Sequence, residues 1–311
     1  MKVPTVKLNN GLEMPIFGLG TWKAVKDAID IGYRHFDCAH AYNNEKEVGE
    51  GIKAKIDEGV IKREDIFVTS KLWNTFHRPD LVVNACKTTV ANLGIGYVDL
   101  YLIHWPMGYK EDGAMFPVND KGKTQYSTVD YIDTWPEMEK CVELGLARSI
   151  GISNFNSKQI LRVLEIAKIV PAMNQVECHP YLNQSKLMAF CNEHGIGITA
   201  YSPLGSADRP WAKPGDPLLI EDPKIKAVAD KYGKTAAQVV LKYQVQRGNV
   251  TIPKSVHKAR ILENFSIFDF ELSADDMSVI DSFDCNGRLI VPANFQEHSQ
   301  CRGNQRWRKD M

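Results

Sequence analysis

The amino-acid sequence predicts an α/β fold, a (β/α)8 TIM barrel, on three observations. The 311 residues are 44% hydrophobic and 24% charged, a composition typical of a globular protein with one large core or two smaller ones. Short apolar runs rich in β-branched residues recur, and an amphipathic segment of helical length follows each of them. Eight such pairs occur in succession, which favours parallel strands joined by crossover helices in a single domain over residues 1–311.

The first predicted element is a β-hairpin, because Asn10-Gly11 lies between two short strand candidates. We expect this hairpin to cap the floor of the barrel. The eight barrel strands follow at intervals that leave room for helices. Their predicted segments are FGLGT (17–21), HFDCA (35–39), IFVTSKL (66–72), VDLYLIH (98–104), ARSIGIS (147–153), AMNQVEC (172–178), IGITAYS (196–202) and NVTIPKS (249–255).

The segments between the strands predict helices, since their apolar residues lie three and four positions apart and glycine follows their ends. Two long connections, 107–127 and 203–223, follow the fourth and seventh strands. Both are expected on the C-terminal face, where barrels of this kind build their active sites. After the last strand, segments 258–265 and 273–283 predict two extra C-terminal helices.

Charge and cysteine usage argue against several classes of protein. Lysine plus arginine equals aspartate plus glutamate at 38 each, so the overall balance indicates neither nucleic acid nor an anionic membrane as a partner. The seven cysteines are scattered without a CxxC pair, which is typical of reduced thiols. The N-terminus lacks the apolar core of a signal peptide, and no run of about 18 apolar residues occurs. We therefore expect a cytoplasmic protein with no nucleic-acid or membrane partner.

Polar residues collect where the predicted strands end. The C-terminal ends of parallel barrel strands meet at one mouth, so these side chains are expected to converge there. Such a collection is costly to bury unless its members are paired or functional. The residues concerned are Asp37, Lys71, His104, Ser153, Asn154, Gln175 and Tyr201, with Tyr42 just beyond the second strand.

Seven motifs occur in a fixed order along most of the chain. They are GYRHFDCAHAYNNEKEVG (32–49), SKLW (70–73), DLYLIHWP (99–106), GISNF (151–155), NQVECHPY (174–181), AYSPLG (200–205) and IPKSVHKARILENF (252–265). In this order they resemble the aldo-keto reductase superfamily, and within it the aldose reductase and aldehyde reductase branch. The resemblance implies a carbonyl reductase.

The resemblance also implies a catalytic tetrad of Asp37, Tyr42, Lys71 and His104. Carbonyl reduction needs a proton for the carbonyl oxygen, and Tyr42 would donate it. An ammonium about 4 Å away contributes about 4 kcal/mol at an effective dielectric constant of about 20, so we expect Lys71 to lower the pKa of Tyr42. Asp37 would hold Lys71 protonated, and His104 would orient the carbonyl oxygen.

The implied cofactor is NADPH, extended across the barrel mouth. The Gly18-x-Gly20 pattern lacks the third glycine of a dinucleotide fingerprint, so a Rossmann domain is not expected. The cations of segment 252–265 suit the 2′-phosphate of NADPH, although a solvated basic face with a serine cap would have the same composition. The implied cofactor contacts are Thr21, Trp22, Lys23, Ser153, Asn154, Gln175, Tyr201, Ser202, Leu204, Asp208, Lys254, Ser255, Arg260, Glu263 and Asn264, with Asp208 closing over the cofactor towards Lys254.

Aromatic residues in the mouth loops predict an apolar substrate pocket. Its expected members are Trp22, Trp73, Trp105, Phe116 and Trp211. A pocket of this kind favours aldehydes with an apolar body. The principal hypothesis is therefore a monomeric, NADPH-dependent reductase of small aldehydes, with ketones as a second substrate class.

Two alternative hypotheses remain open at this stage. The connection after Trp22 is short and the tail CRGNQRWRKDM is basic, so the chain could be a catalytically weak NADPH-binding relative with a structural or partner-binding role. The second alternative is a metal-dependent barrel hydrolase in which His35, Asp37, His40, His104 and His179 supply ligands. A lysine in the same mouth would oppose cation binding, so no metal is expected.

Overall fold

A closed barrel of eight parallel strands forms the protein in the computed structural model, which describes residues 3–20, 24–111, 113–213 and 215–290. The strands are β3 (Leu19–Gly20), β4 (His35–Asp37), β5 (Phe67–Leu72), β6 (Val98–Ile103), β7 (Ala147–Ser153), β8 (Met173–Glu177), β9 (Gly197–Tyr201) and β10 (Val250–Thr251), with β1 (Thr5–Lys7) and β2 (Glu13–Pro15) ahead of them. Each barrel strand pairs with its sequence neighbour. The ring closes where Phe17 and Gly20 bridge in parallel to Thr251 and Lys254. The predicted (β/α)8 barrel is confirmed.

The outer layer consists of helices that connect the strands. They are α1 (Val25–Ile31), α2 (Glu45–Asp57), α3 (Pro79–Leu93), α4 (Tyr131–Glu143), α5 (Ser157–Ile166), α6 (Ser185–Glu193), α7 (Pro223–Tyr232), α8 (Ala236–Gln246), α9 (Lys258–Phe265) and α10 (Ala274–Asp281). Capping boxes fix the N-termini of two helices: Asn156 pairs with Gln159 at the start of α5, and Thr235 pairs with Gln238 at the start of α8. The two helices predicted after the last strand are confirmed as α9 and α10. Among the described residues, no helix has the length and apolar character needed to cross a bilayer.

The N-terminal hairpin seals the floor of the barrel, as predicted. Strands β1 and β2 pair antiparallel, and the Asn10 amide donates to the Arg148 carbonyl and the Ser149 hydroxyl at 3.1 and 2.8 Å. Leu8 and Met14 pack into the lower barrel against side chains of β5, β6, β8 and β10. The hairpin therefore covers the floor of the barrel with apolar side chains.

Helix α2 packs so closely on α3 that one position requires glycine. A Cβ added at Gly49 would lie 1.8 Å from the Leu93 carbonyl oxygen, which is backbone and cannot rotate away. We expect Gly49→Ala to lower the free energy of unfolding by about 2 kcal/mol, despite the better helix propensity of alanine. Urea unfolding measures the change, and Lys53→Ala on the exposed face of α2 is the control. Equal midpoints for the two variants would contradict this close packing.

Candidate active site

A buried ion pair joins the ends of β4 and β5 at the barrel mouth. The Lys71 side chain is 0% exposed, and its ammonium donates to Asp37 Oδ1 at 2.6 Å and to the Cys38 carbonyl at 3.0 Å. The Gln175 amide donates to Asp37 Oδ2 at 2.7 Å. Burial is the largest influence and works against the Lys71 charge, but Asp37, Tyr42 and Cys38 together outweigh it and the pKa of Lys71 is raised. The mouth therefore contains a permanent ammonium.

Tyr42 faces that ammonium from a short 3₁₀ helix, His40–Tyr42, which follows β4. The Lys71 ammonium lies 5.1 Å from the centroid of the Tyr42 ring. Tyr42 keeps 41% of its surface exposed, so the residue is accessible from the open mouth. The two side chains expected to share a proton-transfer role are thus adjacent.

Lys71 lowers the pKa of Tyr42, as expected, but the expectation that the pKa falls below its usual value is wrong for this structure. Although 41% of the residue is exposed, loss of water around the phenol is the largest influence and raises the pKa of Tyr42, and the Lys71 ammonium offsets only part of this effect. Tyr42 is consequently a neutral phenol near neutral pH. It carries the proton that a donor needs.

His104 follows β6 directly, on the strand next to the one that carries Lys71. Its ring packs edge to face on Tyr42 at 5.7 Å and on Trp73 at 5.2 Å between centroids. Burial, and next the Lys71 ammonium, hold the pKa of His104 well below its usual value. The imidazole is therefore neutral and can donate one hydrogen bond to an oxygen.

Four further predicted residues form a hydrogen-bonded wall on β7, β8 and β9. The Ser153 hydroxyl donates to the Gln175 carbonyl at 2.8 Å. The Asn154 amide donates to the His104 carbonyl at 3.0 Å and accepts from the Tyr201 hydroxyl at 2.9 Å. Asn154 has a φ of 65°, a left-handed conformation that asparagine tolerates better than most residues. Gln175 contacts Asp37 and Asn154 contacts the His104 backbone, so this wall adjoins the tetrad.

The predicted rim residues occupy two neighbouring segments. Ser202 accepts from the Ser206 hydroxyl at 2.7 Å in the loop after β9, which also carries the half-buried Leu204. Asp208 in that loop is exposed, and its pairing with Lys254 stays a prediction.

The second rim segment surrounds the start of α9. Lys254 and Arg260 are exposed, whereas Asn264 is buried. The Ser255 hydroxyl accepts from the His257 backbone amide at 3.2 Å, but His257 is the residue that precedes α9, so the serine cap considered above is not formed. Glu263 accepts from the Thr235 hydroxyl at 2.8 Å and is already held towards α8.

Aromatic side chains form one wall of the mouth. Trp73 is buried, donates to the Met115 carbonyl at 2.8 Å and packs on Phe116 at 5.2 Å between centroids. The half-buried Trp105 joins the same cluster. Trp211 instead lies in the loop after β9, where it donates to the Leu289 carbonyl at 3.0 Å. The predicted aromatic set thus divides between two loops, and Thr21, Trp22 and Lys23 lie outside the described residues.

The histidines near the mouth have partners other than a metal. His35 lies 3.2 Å from the Thr69 hydroxyl, and burial lowers its pKa to about 4. His40 approaches Glu45 at 3.9 Å, and Asp37 is engaged by Lys71. Within the described ranges, no three His, Cys, Asp or Glu side chains converge as metal ligands would. Three members of the ligand set that the hydrolase alternative requires, His35, Asp37 and His40, thus contact protein groups, and the absence of a metal stays a prediction.

Sequence reasoning missed Glu177, which is buried at the same mouth. Glu177 lies two residues after Gln175 on β8, so strand alternation places both on one face of the sheet. The spacing of two residues could therefore have placed Glu177 at the mouth. The partners of Glu177 could not be predicted from the sequence, because they are the backbone amides of Leu289 and Ile290, and almost any residue supplies such a group.

Known proteins of one family share both sequence and fold with this chain. Residues 21–284 match the Aldo/keto reductase family. Aldo-keto reductase family 1 member A1-A of Danio rerio is 50% identical over 98% of this chain and 95% of its own. The member A1 proteins of Gallus gallus and Homo sapiens are 52% and 46% identical, over 92% and 94% of this chain and 90% and 93% of theirs. The aldose reductase of Schistosoma japonicum superposes with a TM-score of 0.90 and 43% identity, over 96% of this chain and 98% of its own. This chain belongs to the aldo/keto reductase family.

Proposed function

We propose that the protein reduces aldehydes, and ketones as a second class, to alcohols with NADPH as the reductant and Tyr42 as the proton donor. The observation that carries the proposal is the buried Lys71 ammonium, which lies 2.6 Å from Asp37 and 5.1 Å from the Tyr42 ring centroid. Membership of an oxidoreductase family and the name aldose reductase of the structural relative support a carbonyl substrate.

The residues at the mouth fit a nicotinamide cofactor. Ser153, Asn154 and Gln175 offer hydroxyl and amide groups that suit a carboxamide, and Tyr201 offers an aromatic face for its ring. NADPH, when bound, supplies the hydride that the carbonyl carbon receives. A cofactor on this wall would lie next to Tyr42 and His104, since the Asn154 amide donates to the His104 carbonyl at 3.0 Å.

The side chains of the tetrad then divide the proton chemistry. The Tyr42 hydroxyl donates its proton to the carbonyl oxygen, and the Lys71 ammonium stabilises the phenolate that remains. Asp37 keeps Lys71 protonated and fixed. Neutral His104 donates a hydrogen bond to the same oxygen and orients the carbonyl, while Trp73 excludes water from one side of the mouth.

Oxidation of NADPH in the presence of an aromatic aldehyde tests this proposal. We expect benzaldehyde to be reduced with a higher kcat/KM for NADPH than for NADH. Tight NADPH binding without turnover would contradict the proposed activity and favour the catalytically weak relative.

We also propose that the protein acts as a cytoplasmic monomer, and light scattering on a size-exclusion column tests the monomeric part.

The preference for NADPH is expected to depend on Arg260. Arg260 is exposed at the rim beside Lys254, where a guanidinium can bind a phosphate with two hydrogen bonds. We expect Arg260→Ala to raise the KM for NADPH about tenfold and the KM for NADH by less than about twofold, since NADH lacks the 2′-phosphate. Lys186→Ala, which removes an exposed cation of α6, is the control. An equal rise for both cofactors would show that Arg260 does not recognise the 2′-phosphate.

A further inference from the structure

The carboxylate of Glu177 is buried at the barrel mouth but has no part in the chemistry derived above. Glu177 ends β8, is 0% exposed and pairs in register with Tyr201 of β9. Gln175, two residues earlier on the same face, contacts Asp37. Glu177 thus lies one layer above the tetrad, beside the proposed nicotinamide wall.

Both oxygens of this carboxylate hold backbone of the C-terminal segment, residues 288–290. Oε1 accepts from the Leu289 amide at 2.7 Å, and Oε2 accepts from the Ile290 amide at 3.1 Å. His179 Nε2 lies 3.0 Å from Oε1, and Arg288 Nη1 lies 4.0 Å from Oε2. A buried carboxylate is costly unless its oxygens are paired, and two consecutive backbone amides supply that pairing. The path of the segment is therefore tied to this one side chain.

The same segment is tied to the long loop after β9. The Trp211 indole donates to the Leu289 carbonyl at 3.0 Å, and the Leu289 side chain is buried near Gly205 of that loop. Upstream, the Tyr181 carbonyl accepts from the Gly287 amide at 2.7 Å. Glu177 thus connects strand β8, the C-terminal segment and the Trp211 loop at one point.

These contacts bear on the substrate side of the mouth. Trp211 is an aromatic residue of the expected pocket, and the main chain that holds its indole is itself held by Glu177. Burial raises the pKa of Tyr201 well above its usual value, the Glu177 charge adds to the rise, and the Arg288 charge opposes it. Arg288 therefore lies near the proposed ring-stacking residue.

We propose that Glu177 is a positioning residue that fixes the C-terminal segment and the Trp211 loop over the mouth, and that it thereby sets the affinity for the carbonyl substrate. The kinetic part of this inference rests on the proposed reductase function. The structural part, attachment of residues 288–290, does not. Release of the segment would loosen the pocket and leave the tetrad intact.

Glu177→Gln tests both parts, because glutamine keeps the size of the side chain but offers one acceptor where two amides need one each. We expect trypsin to cleave after Arg288 about tenfold faster in this variant, as followed by mass spectrometry of the native protein. We expect the KM for benzaldehyde to rise about tenfold, with kcat and the NADPH Kd changed by less than about twofold. Glu193→Gln, at the exposed end of α6, is the matched control.

Trp211→Phe is the second variant, and it removes the indole donor without touching β8. We expect this variant to be cleaved after Arg288 about threefold faster and to have a KM for benzaldehyde about threefold higher. Wild-type cleavage after Arg288 in Glu177→Gln overturns the inference, as does a fall in kcat at unchanged KM. If Glu177→Gln does not fold, unchanged cleavage in Trp211→Phe overturns it instead. Faster cleavage in a protein without reductase activity would reject the proposed function but retain the attachment.

Discussion

Tyr42→Phe is expected to lower kcat for aldehyde reduction about a thousandfold and to leave the NADPH Kd within about twofold of wild type. The change removes the hydroxyl that carries the transferable proton but keeps the ring that packs on His104 at 5.7 Å. Since burial raises the pKa of Tyr42, the phenol is protonated across the neutral range and its proton is always available. Steady-state kinetics and cofactor fluorescence titration measure the two quantities.

The matched control for this substitution is Tyr97→Phe. Tyr97 precedes β6 at the opposite end of the barrel, where the Arg63 guanidinium lies 3.9 Å from its ring centroid. Its loss of a hydroxyl should leave kcat unchanged. A Tyr42→Phe enzyme with the wild-type rate would remove Tyr42 from its proposed role. Loss of NADPH binding in that variant would show that its effect is structural.

Lys71→Met is expected to affect stability as well as rate. The side chain is fully buried, and its removal leaves the Asp37 carboxylate in the core with Gln175 as a remaining partner. Breaking a buried ion pair on one side costs about 3 kcal/mol or more, because the other charge stays desolvated. We expect the free energy of unfolding, measured in urea, to fall by about that amount.

The double variant Asp37→Asn/Lys71→Met separates the two effects. Removing both charges eliminates the isolated carboxylate, so most of the stability should return. The kcat for aldehyde reduction should stay low, because no ammonium stabilises the Tyr42 phenolate in the double variant. We expect this kcat to be about a hundredfold or more below wild type. A double variant as unstable as Lys71→Met would show that the lost stability does not come from the isolated Asp37 carboxylate.

The strands could be predicted from the alternation of apolar runs and helical segments, whereas the tetrad was assigned from the family resemblance. Residues at the ends of parallel strands must meet at one mouth, so Asp37, Lys71 and His104 could be assigned to it before any coordinates. The direction of the Tyr42 pKa shift could not be predicted in this way. It depends on the balance between desolvation of the phenol, which raises the pKa, and the Lys71 charge, which lowers it.

Contacts between segments that are distant in the sequence could not be predicted either. Glu177 and Leu289 are 112 residues apart, and the Leu289 group involved is a backbone amide that any residue other than proline would supply. Trp211 similarly resembled Trp73 as a pocket aromatic, but it binds the C-terminal segment while Trp73 packs on His104. Composition placed both in the mouth loops and could not assign their partners.

The closure of the barrel has a consequence for folding during synthesis on the ribosome. The amide of Gly18 donates to the carbonyl of Thr251 at 3.0 Å, and the amide of Thr251 donates to the carbonyl of Ile16 at 2.9 Å. The partner of the first barrel strand on this side, β10, is synthesised more than two hundred residues later. Until that partner emerges, β3 and β9 present unpaired edges, which nascent chains on neighbouring ribosomes could join. The barrel can therefore close only after β10 has been synthesised.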